Sequence, residues 1–106
     1  MTSIIMDENR ETGLQQSEVE PKWKKKGFSC KMWIDPPGMA WIDQVHDVDE
    51  LLLPITGLLE LELPDQTRRL KIGEEVLIPA GVVHTLRNQG RTTACWLYGL
   101  AQTIEA

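Results

Sequence analysis

Residues 73–88, GEEVLIPAGVVHTLRN, decide the fold of this chain. Two short apolar runs lie on either side of Pro79-Ala80-Gly81, and the pattern predicts a turn, a strand, a second turn and a second strand. Proline has no N–H and glycine tolerates positive φ, so the tripeptide interrupts the pairing. His84 and Asn88 are an even number of residues apart and therefore project from the same face of the second strand. A histidine placed just after a rigid turn is well positioned to reach into a cavity.

This segment matches, position for position, the second signature of the cupin superfamily, G-x5-P-x-G-x2-H-x3-N. The first signature, G-x5-H-x-H-x3,4-E-x6-G, lies upstream with glutamine in place of its first histidine, at Gly38, Gln44, His46, Glu50 and Gly57. A linker of fifteen residues, 58–72, separates the two signatures. Over roughly residues 27–100 the chain therefore resembles the small single-domain cupins.

The resemblance implies an all-β fold, a double-stranded β-helix or jelly-roll barrel with little helix. Short apolar runs between Gly and Pro turns independently favour a sandwich or barrel. They predict eight strands, at 28–34, 40–46, 50–55, 58–63, 67–72, 75–78, 82–88 and 93–98. No segment keeps a 3.6-residue period, so no helix longer than a turn is expected. Residues 1–22 are predicted to be a flexible polar N-terminal tail, and residues 23–106 a single cupin β-barrel domain.

Charge and composition exclude some classes of partner. The net charge is −5 and no Lys/Arg-rich stripe is present, which argues against nucleic acid. Four lysines within residues 22–26 are explained by a solvated run before the first strand. No stretch approaches the ~18 apolar residues of a membrane helix, and no secretory signal opens the chain, so we expect no membrane partner and a cytoplasmic location.

Two cysteines and one strand raise questions of packing. Cys30 and Cys95 are predicted to be small buried hydrophobes, with a disulfide as the alternative if the terminal strands pair. The strand at 50–55 is apolar on both faces, so its outer face needs a cover. The N-terminal segment and a second subunit are the two candidates. We favour a homodimer, because the N-terminal tail is mostly polar and small cupins commonly dimerise. Glu60 and Glu62 alternate with leucines and are expected to face solvent.

The first signature needs a turn to form a site. An extended chain from Gln44 to Glu50 spans about 20 Å, so the side chains converge only if Asp47-Val48-Asp49 turns the chain back. The resemblance implies that Gln44, His46, Glu50 and His84 hold a divalent ion, Fe, Mn, Ni or Zn. Gln44 offers a neutral carbonyl oxygen where the family has an imidazole. In the alternative interpretation the histidines are buried polar residues bonded to Glu50 and Gln44 without an ion.

The remaining polar and aromatic residues are interpreted as structural. Asn88 is predicted to be a turn residue. The aromatic side chains are predicted to belong mostly to the core, with one or two at the mouth of a pocket as the alternative: Trp23, Trp33, Trp41, Trp96 and Tyr98.

Two functional hypotheses remain. The first is a metal-dependent dioxygenase or isomerase that acts on a small organic ligand. The alternative is a non-catalytic binding or sensor cupin, with or without metal. The fold alone does not choose between them, because one fold hosts many functions.

Overall fold

A computed structural model describes residues 15–102, which form one helix and eight strands. The elements are α1 (Gln16–Lys25), β1 (Lys31–Asp35), β2 (Ala40–Gln44), β3 (Glu50–Thr56), β4 (Leu59–Leu63), β5 (Gln66–Arg69), β6 (Val76–Ile78), β7 (His84–Asn88) and β8 (Ala94–Leu100). All eight predicted strands are confirmed, with ends that shift by up to three residues.

The strands form two four-stranded antiparallel sheets, in the orders β1-β8-β3-β6 and β2-β7-β4-β5. This arrangement confirms the predicted jelly-roll barrel. The main core is made of side chains that both sheets direct inward, including Leu52 of β3, Leu61 of β4 and Leu86 of β7. Along β4, Glu60 and Glu62 alternate with leucines at 59, 61 and 63. Glu62 is exposed and Glu60 is half-buried.

Helix α1 is the main correction to the predicted fold. Residues 16–22, which we expected in a flexible tail, are helical; residues 1–14 of that tail lie outside the described part of the chain. Val19 and Trp23 are four residues apart, so they share one face of the helix, and both are buried. Lysines fill the last turn, where the helix dipole favours positive charge. A single apolar pair is too little to produce a detectable 3.6-residue period.

The same helix covers the outer face of β3. Leu52 points into the barrel, whereas Leu51 and Leu53 pack outside it against Val19 and Trp23. Burying a leucine side chain contributes about 2 kcal/mol to the free energy of unfolding, so this outer apolar cluster stabilises the fold substantially. The expectation that a partner subunit covers this face is therefore wrong. The homodimer stays a prediction, without this support.

The terminal strands pair, yet they do not bring the cysteines together. In the β1–β8 register Cys95 lies opposite Ile34, while Cys30 precedes Lys31, which lies opposite Tyr98. The thiols are thus four positions apart, about 13 Å, beyond the reach of a disulfide. Both are free, and burial, with a smaller contribution from the Glu20 carboxylate, raises the pKa of the Cys30 thiol to about 11. Within residues 15–102, no helix has the length and apolar character needed to cross a membrane.

Candidate metal centre

The predicted site residues come from three strand ends. Gln44 ends β2, Glu50 begins β3 and His84 begins β7, while His46 lies on the link between β2 and β3. The link bends at Asp47-Val48 and carries the chain from one sheet to the other. This confirms the turn that the first signature requires, because the bend lets Glu50 face back toward His46.

The Pro79-Ala80-Gly81 turn fixes the two signatures against each other. The Gly81 N–H donates to the His46 carbonyl at 2.9 Å, and the Ala80 N–H donates to Asp49 Oδ1 at 2.8 Å. Gly81 has a φ of 81°, which L side chains rarely adopt. Asp49 therefore anchors the turn, as expected for a residue that is not a ligand. The turn therefore also sets the position of His84, which follows Gly81 by three residues.

The structure brings His46, Glu50 and His84 together. Their potential ligand atoms all lie within 4.8 Å of one another. Glu50 Oε1 is 3.2 Å from His46 Nε2 and 3.1 Å from His84 Nε2. Donors held at ~2.1 Å from a common ion in tetrahedral or octahedral geometry are about 3.0–3.4 Å apart. The observed separations therefore suit two imidazoles and one carboxylate around an ion.

The hydrogen-bond geometry of the triad also favours a bound metal ion. Glu50 Oε1 is buried and has no hydrogen-bond partner among the described residues, although His46 Nε2 and His84 Nε2 both lie within 3.2 Å of it. Nδ1 of His84 lies 3.0 Å from the Val82 carbonyl, which makes Nδ1 the donor in the neutral ring. Nε2 then presents its lone pair to the site. A buried carboxylate oxygen without a donor and an imidazole lone pair together are suited to a cation.

The carboxylate of Glu50 also affects the protonation of His84. Burial disfavours the imidazolium, but attraction to Glu50 and the bond to Val82 outweigh it, so the pKa of His84 stands above its ordinary value. The direct contact between His84 Nε2 and Glu50 Oε1 at 3.1 Å is the largest of the contributions that raise this pKa. Because a proton competes with a metal ion for Nε2, acidification should weaken metal uptake.

Gln44 lines the same cavity as the triad and lies opposite His84 in the β2–β7 register. Its Nε2 donates to the Ile42 carbonyl at 3.1 Å. The amide oxygen is the atom left to face an ion. Gln44 is thus at the edge of the site, and its role as a fourth ligand stays a prediction.

Four aromatic and two leucine side chains complete the lining of the cavity, which has a volume of about 150 Å³. The expectation of a mainly structural role is confirmed for Trp23, which is fully buried beneath α1. Trp96 also belongs to the main core, and Trp41 and Tyr98 pack against it. More aromatic residues line the cavity than the one or two expected, since four do so: Trp33, Trp41, Trp96 and Tyr98. Trp96 and Tyr98 are two residues apart on β8 and share its inner face. The two-residue period of a strand was therefore enough to predict that they point the same way.

Asp35 holds two of these rings and was not identified from the sequence. It is 2% exposed, and its Oδ2 accepts hydrogen bonds from Trp41 Nε1 at 2.9 Å and Trp96 Nε1 at 3.0 Å. Asn88 closes the layer behind it, donating to the Asp35 carbonyl at 3.2 Å. Asn88 also bonds the Thr92 carbonyl and the Gly90 N–H, so its predicted structural role is confirmed.

Replacing Asp35 by asparagine is expected to destabilise the fold by about 1–3 kcal/mol. The amide has one acceptor oxygen, and its NH₂ group would face an indole N–H that needs an acceptor. Urea denaturation measures the loss, and near-ultraviolet circular dichroism reports the loosened tryptophans. The control is Asp65→Asn on an exposed turn. Equal stability of the two variants would show that Asp35 does not hold the rings.

Comparison with known proteins agrees with this architecture. The profile of the family described as Cupin domain matches residues 31–99. No curated protein matches the chain in sequence. Similar solved structures include the TT1209 protein of Thermus thermophilus, at 20% identity and a TM-score of 0.64, covering 72% of this chain and 74% of that one. A cupin domain of Bordetella pertussis Tohama I is 28% identical with a TM-score of 0.60, covering 72% and 82%.

A third similar structure belongs to an enzyme. The DMSP lyase DddQ of Ruegeria pomeroyi DSS-3 has 21% identity and a TM-score of 0.65, covering 76% of this chain and 41% of the lyase. At this identity the likeness concerns the fold alone. The family profile extends from β1 into β8 and takes in both signatures, and the chain belongs to the Cupin domain family.

Proposed function

We propose that this protein binds a divalent metal ion, Fe, Mn, Ni or Zn, and uses it to bind and transform a small organic molecule. His46, Glu50 and His84 would be its ligands, with the Gln44 carbonyl as a neutral fourth. Two histidines and one carboxylate with open positions are the set found in non-haem iron oxygenases. We therefore place a dioxygenase ahead of an isomerase among the possible activities.

One observation carries this proposal: the buried Glu50 Oε1 has two imidazole nitrogens at 3.1 and 3.2 Å and no hydrogen bond. A buried carboxylate oxygen without a donor costs about 1–3 kcal/mol or more. A cation shared with both imidazoles would remove that cost. In the metal-free alternative the histidines would have to donate to Glu50 through Nε2, whereas the bond of His84 Nδ1 to the Val82 carbonyl leaves a lone pair on Nε2 of the neutral ring.

A metal ion at this position would act as a Lewis acid or redox centre. The protein's own contribution is to orient a ligand against the triad and to exclude water with the aromatic walls. With three titratable side chains used as ligands, Tyr98 is the remaining proton donor among the residues that line the cavity. This scarcity of acid and base groups favours, as a second candidate, a non-catalytic cupin that binds or senses the same ligand.

Metal content tests the proposal directly. The protein, expressed without a histidine tag and with Fe, Mn, Ni and Zn supplied in turn, should retain about one metal ion per chain. His84→Ala should remove it. Because His84 is buried, His46→Ala, at a side chain 30% exposed, is a second variant with less risk to folding. Absence of stoichiometric metal in the folded wild-type protein would refute the proposal.

Oxygen consumption then separates the two candidates. The Fe-loaded protein would be offered phenols, diketones and thiols under an oxygen electrode. Uptake that depends on metal and ligand supports the dioxygenase. Ligand binding by the metal-loaded protein with no turnover supports the binding or sensor cupin.

Replacing Gln44 by histidine should tighten binding of Zn²⁺ or Ni²⁺ by about tenfold or more, because it substitutes an imidazole for a neutral amide oxygen. Competition with a coloured chelator measures the change. Gln66→His, which adds a histidine on the exposed strand β5, is the control and should change nothing. Equal affinities for the two variants would show that position 44 does not face the ion.

We further propose that the protein is a cytoplasmic homodimer. Edge strand β1 exposes Met32 and Ile34, at 40% and 62%, which supports an apolar contact between copies. The free thiols of Cys30 and Cys95 fit a reducing compartment. Light scattering after size exclusion should give twice the chain mass, and a monomer at micromolar concentration would contradict the dimer.

A further inference from the structure

The cavity has two chemically distinct ends. The polar end is the triad together with Gln44. The aromatic side chains lie further along the strands, because Trp41 pairs with Leu86, two residues after His84, and Tyr98 pairs with Leu52, two residues after Glu50. Four aromatic side chains line this part of the cavity: Trp33, Trp41, Trp96 and Tyr98. The rest of the lining is aliphatic, from Leu52 and Leu86. A ligand that fits both ends needs a metal-binding atom at one end and an apolar body at the other.

The four rings form one connected wall. Trp33 makes edge-to-face contacts with Trp41, at a centroid distance of 5.5 Å, and with Tyr98, at 5.8 Å. Tyr98 in turn lies 5.6 Å from Trp96. Asp35 joins the two ends of this series, because both Trp41 and Trp96 donate to its Oδ2. The wall is therefore fixed before any ligand arrives, which lowers the entropy lost on binding.

The bonds to Asp35 also decide what the wall offers to a ligand. The N–H groups of Trp41 and Trp96 are directed to Asp35, so both indoles present carbon surface to the cavity. A sugar ring carries hydroxyls around its rim, and the indoles of Trp41 and Trp96, whose N–H groups are bonded to Asp35, offer these hydroxyls no donor. An aromatic ring has no such requirement and gains edge and face contacts with the wall. The cavity volume of about 150 Å³ is that of an apolar cavity that accepts benzene.

Charge restricts the other end of the ligand. None of the described residues that line the cavity is a lysine or arginine. A negative oxygen on the ligand would meet the Glu50 carboxylate, and when both imidazoles of the cavity are neutral only a metal ion would offset its charge. Binding of such a ligand must then depend on the metal.

We propose that the ligand of this site is a single-ring aromatic compound with a phenolate or carboxylate oxygen, which binds the metal while its ring lies against the Trp33–Trp41–Tyr98–Trp96 wall. This inference rests on the proposed metal centre. It narrows the ligand from small organic molecules in general to one ring size and one kind of donor. The same features predict weaker binding of sugars and aliphatic acids.

The test uses full-length Zn²⁺-loaded protein, whose metal content is measured first. Benzoate, acetate and glucuronate are titrated by calorimetry, with tryptophan fluorescence as a second readout; all three carry the same donor on different bodies. Benzoate should bind at least about tenfold more tightly than acetate or glucuronate, because only its body buries apolar surface against the wall. Removing Zn²⁺ should weaken benzoate binding by about tenfold or more.

One variant probes the wall itself. Trp33→Leu, at a side chain 37% exposed near the mouth, keeps apolar bulk and removes the ring. It should weaken benzoate binding by about three- to tenfold and leave acetate binding and Zn²⁺ affinity unchanged. Leu77→Ala, on the exposed face of β6 and outside the cavity, is the matched control.

The outcomes separate the two proposals. Protein that retains no metal overturns both the metal centre and this inference, since with neutral imidazoles nothing else that lines the cavity offsets the charge of the ligand carboxylate. If metal-loaded protein binds acetate or glucuronate as tightly as benzoate, the proposal of an aromatic ligand is overturned and the metal centre is not. A benzoate affinity that is unchanged in Trp33→Leu also contradicts the aromatic wall as the binding surface.

Discussion

Replacing Glu50 by glutamine is expected to weaken metal binding by at least about 100-fold while leaving the metal-free protein folded. Loss of groups that merely support metal ligands costs 10–100-fold in affinity, and Glu50 would be a ligand itself. It is also the anionic member of a triad whose other two members are neutral when they bind metal. The substitution removes that charge and changes the shape of the side chain very little.

The stability of the variant should differ between metal-free and metal-loaded samples. At a free metal concentration of 100 times the wild-type Kd, the wild type gains about 2.7 kcal/mol, whereas a variant that binds 100-fold more weakly gains about 0.4 kcal/mol. For a domain of this size the difference corresponds to about 10 °C or more in Tm. Without metal, Glu50→Gln should be at least as stable as the wild type, since it removes a buried charge whose Oε1 has no donor.

Thermal melts with and without metal measure both effects. Glu62→Gln is the control, because Glu62 is half exposed on β4 and pairs with Arg87 away from the triad. It should keep the full metal-dependent increase in Tm. If Glu50→Gln keeps that increase as well, Glu50 is not a ligand. If the metal-free variant is strongly destabilised, the carboxylate is needed by the fold and the free Oε1 has been misinterpreted.

The sequence predicted that the site residues lie together because they occupy fixed spacings around turns. Gly38, Gly57 and Gly81 all adopt positive φ, and glycine is the residue that does so without strain. Such positions can be recognised in the sequence because glycine occupies them. His46, Glu50 and His84 follow from the same spacings, and the structure brings them together.

What the sequence did not show depends on contacts between distant segments. Asp35 reaches Trp41 and Trp96, residues 6 and 61 positions away, and no local pattern marks such a pairing. The inward direction of Trp33 follows from its position opposite Trp96 in the β1–β8 register. A register is fixed by the whole sheet and not by the strand itself. The number of aromatic side chains that line the cavity was therefore underestimated.

Helix α1 was missed for a related reason. It contains Pro21 and has only two buried residues, so its intrinsic tendency to form is weak. Its stability comes from packing on β3 and from Trp23 Nε1, which donates to Glu75 Oε1 at 2.8 Å. Glu75 also bonds Lys26 at 3.1 Å, just beyond the end of the helix. Tertiary contacts outweigh propensity here, and Glu75 lies about fifty positions further along the chain.

Gly99 shows how closely the helix segment approaches the barrel, and Gly99→Ala is expected to destabilise the protein by at least about 3 kcal/mol. Gly99 lies on β8 opposite Leu51 of β3. A Cβ at this position would be 1.9 Å from the Ser29 carbonyl oxygen and 2.8 Å from Trp23 Cε3. The Ser29 oxygen belongs to the backbone, and the Ser29 N–H and Oγ are both bonded to Leu100, so the segment has little freedom to move.

The same substitution at Gly90 separates this contact from the general effect of adding a methyl group. Gly90 has no positive φ. A Cβ added at Gly90 would lie 3.2 Å from its nearest neighbour, the Cβ of Leu58. Gly90→Ala should change the free energy of unfolding by less than about 1 kcal/mol. Alanine is better than glycine within a strand by about 0.5–1 kcal/mol, so propensity alone would make Gly99→Ala slightly stabilising. Urea denaturation of both variants therefore tests the sign as well as the size of the effect. A Gly99→Ala protein as stable as the wild type would show that the segment from Trp23 to Ser29 does not pack on β8 as closely as described, and the helix would lose its role as the cover of β3.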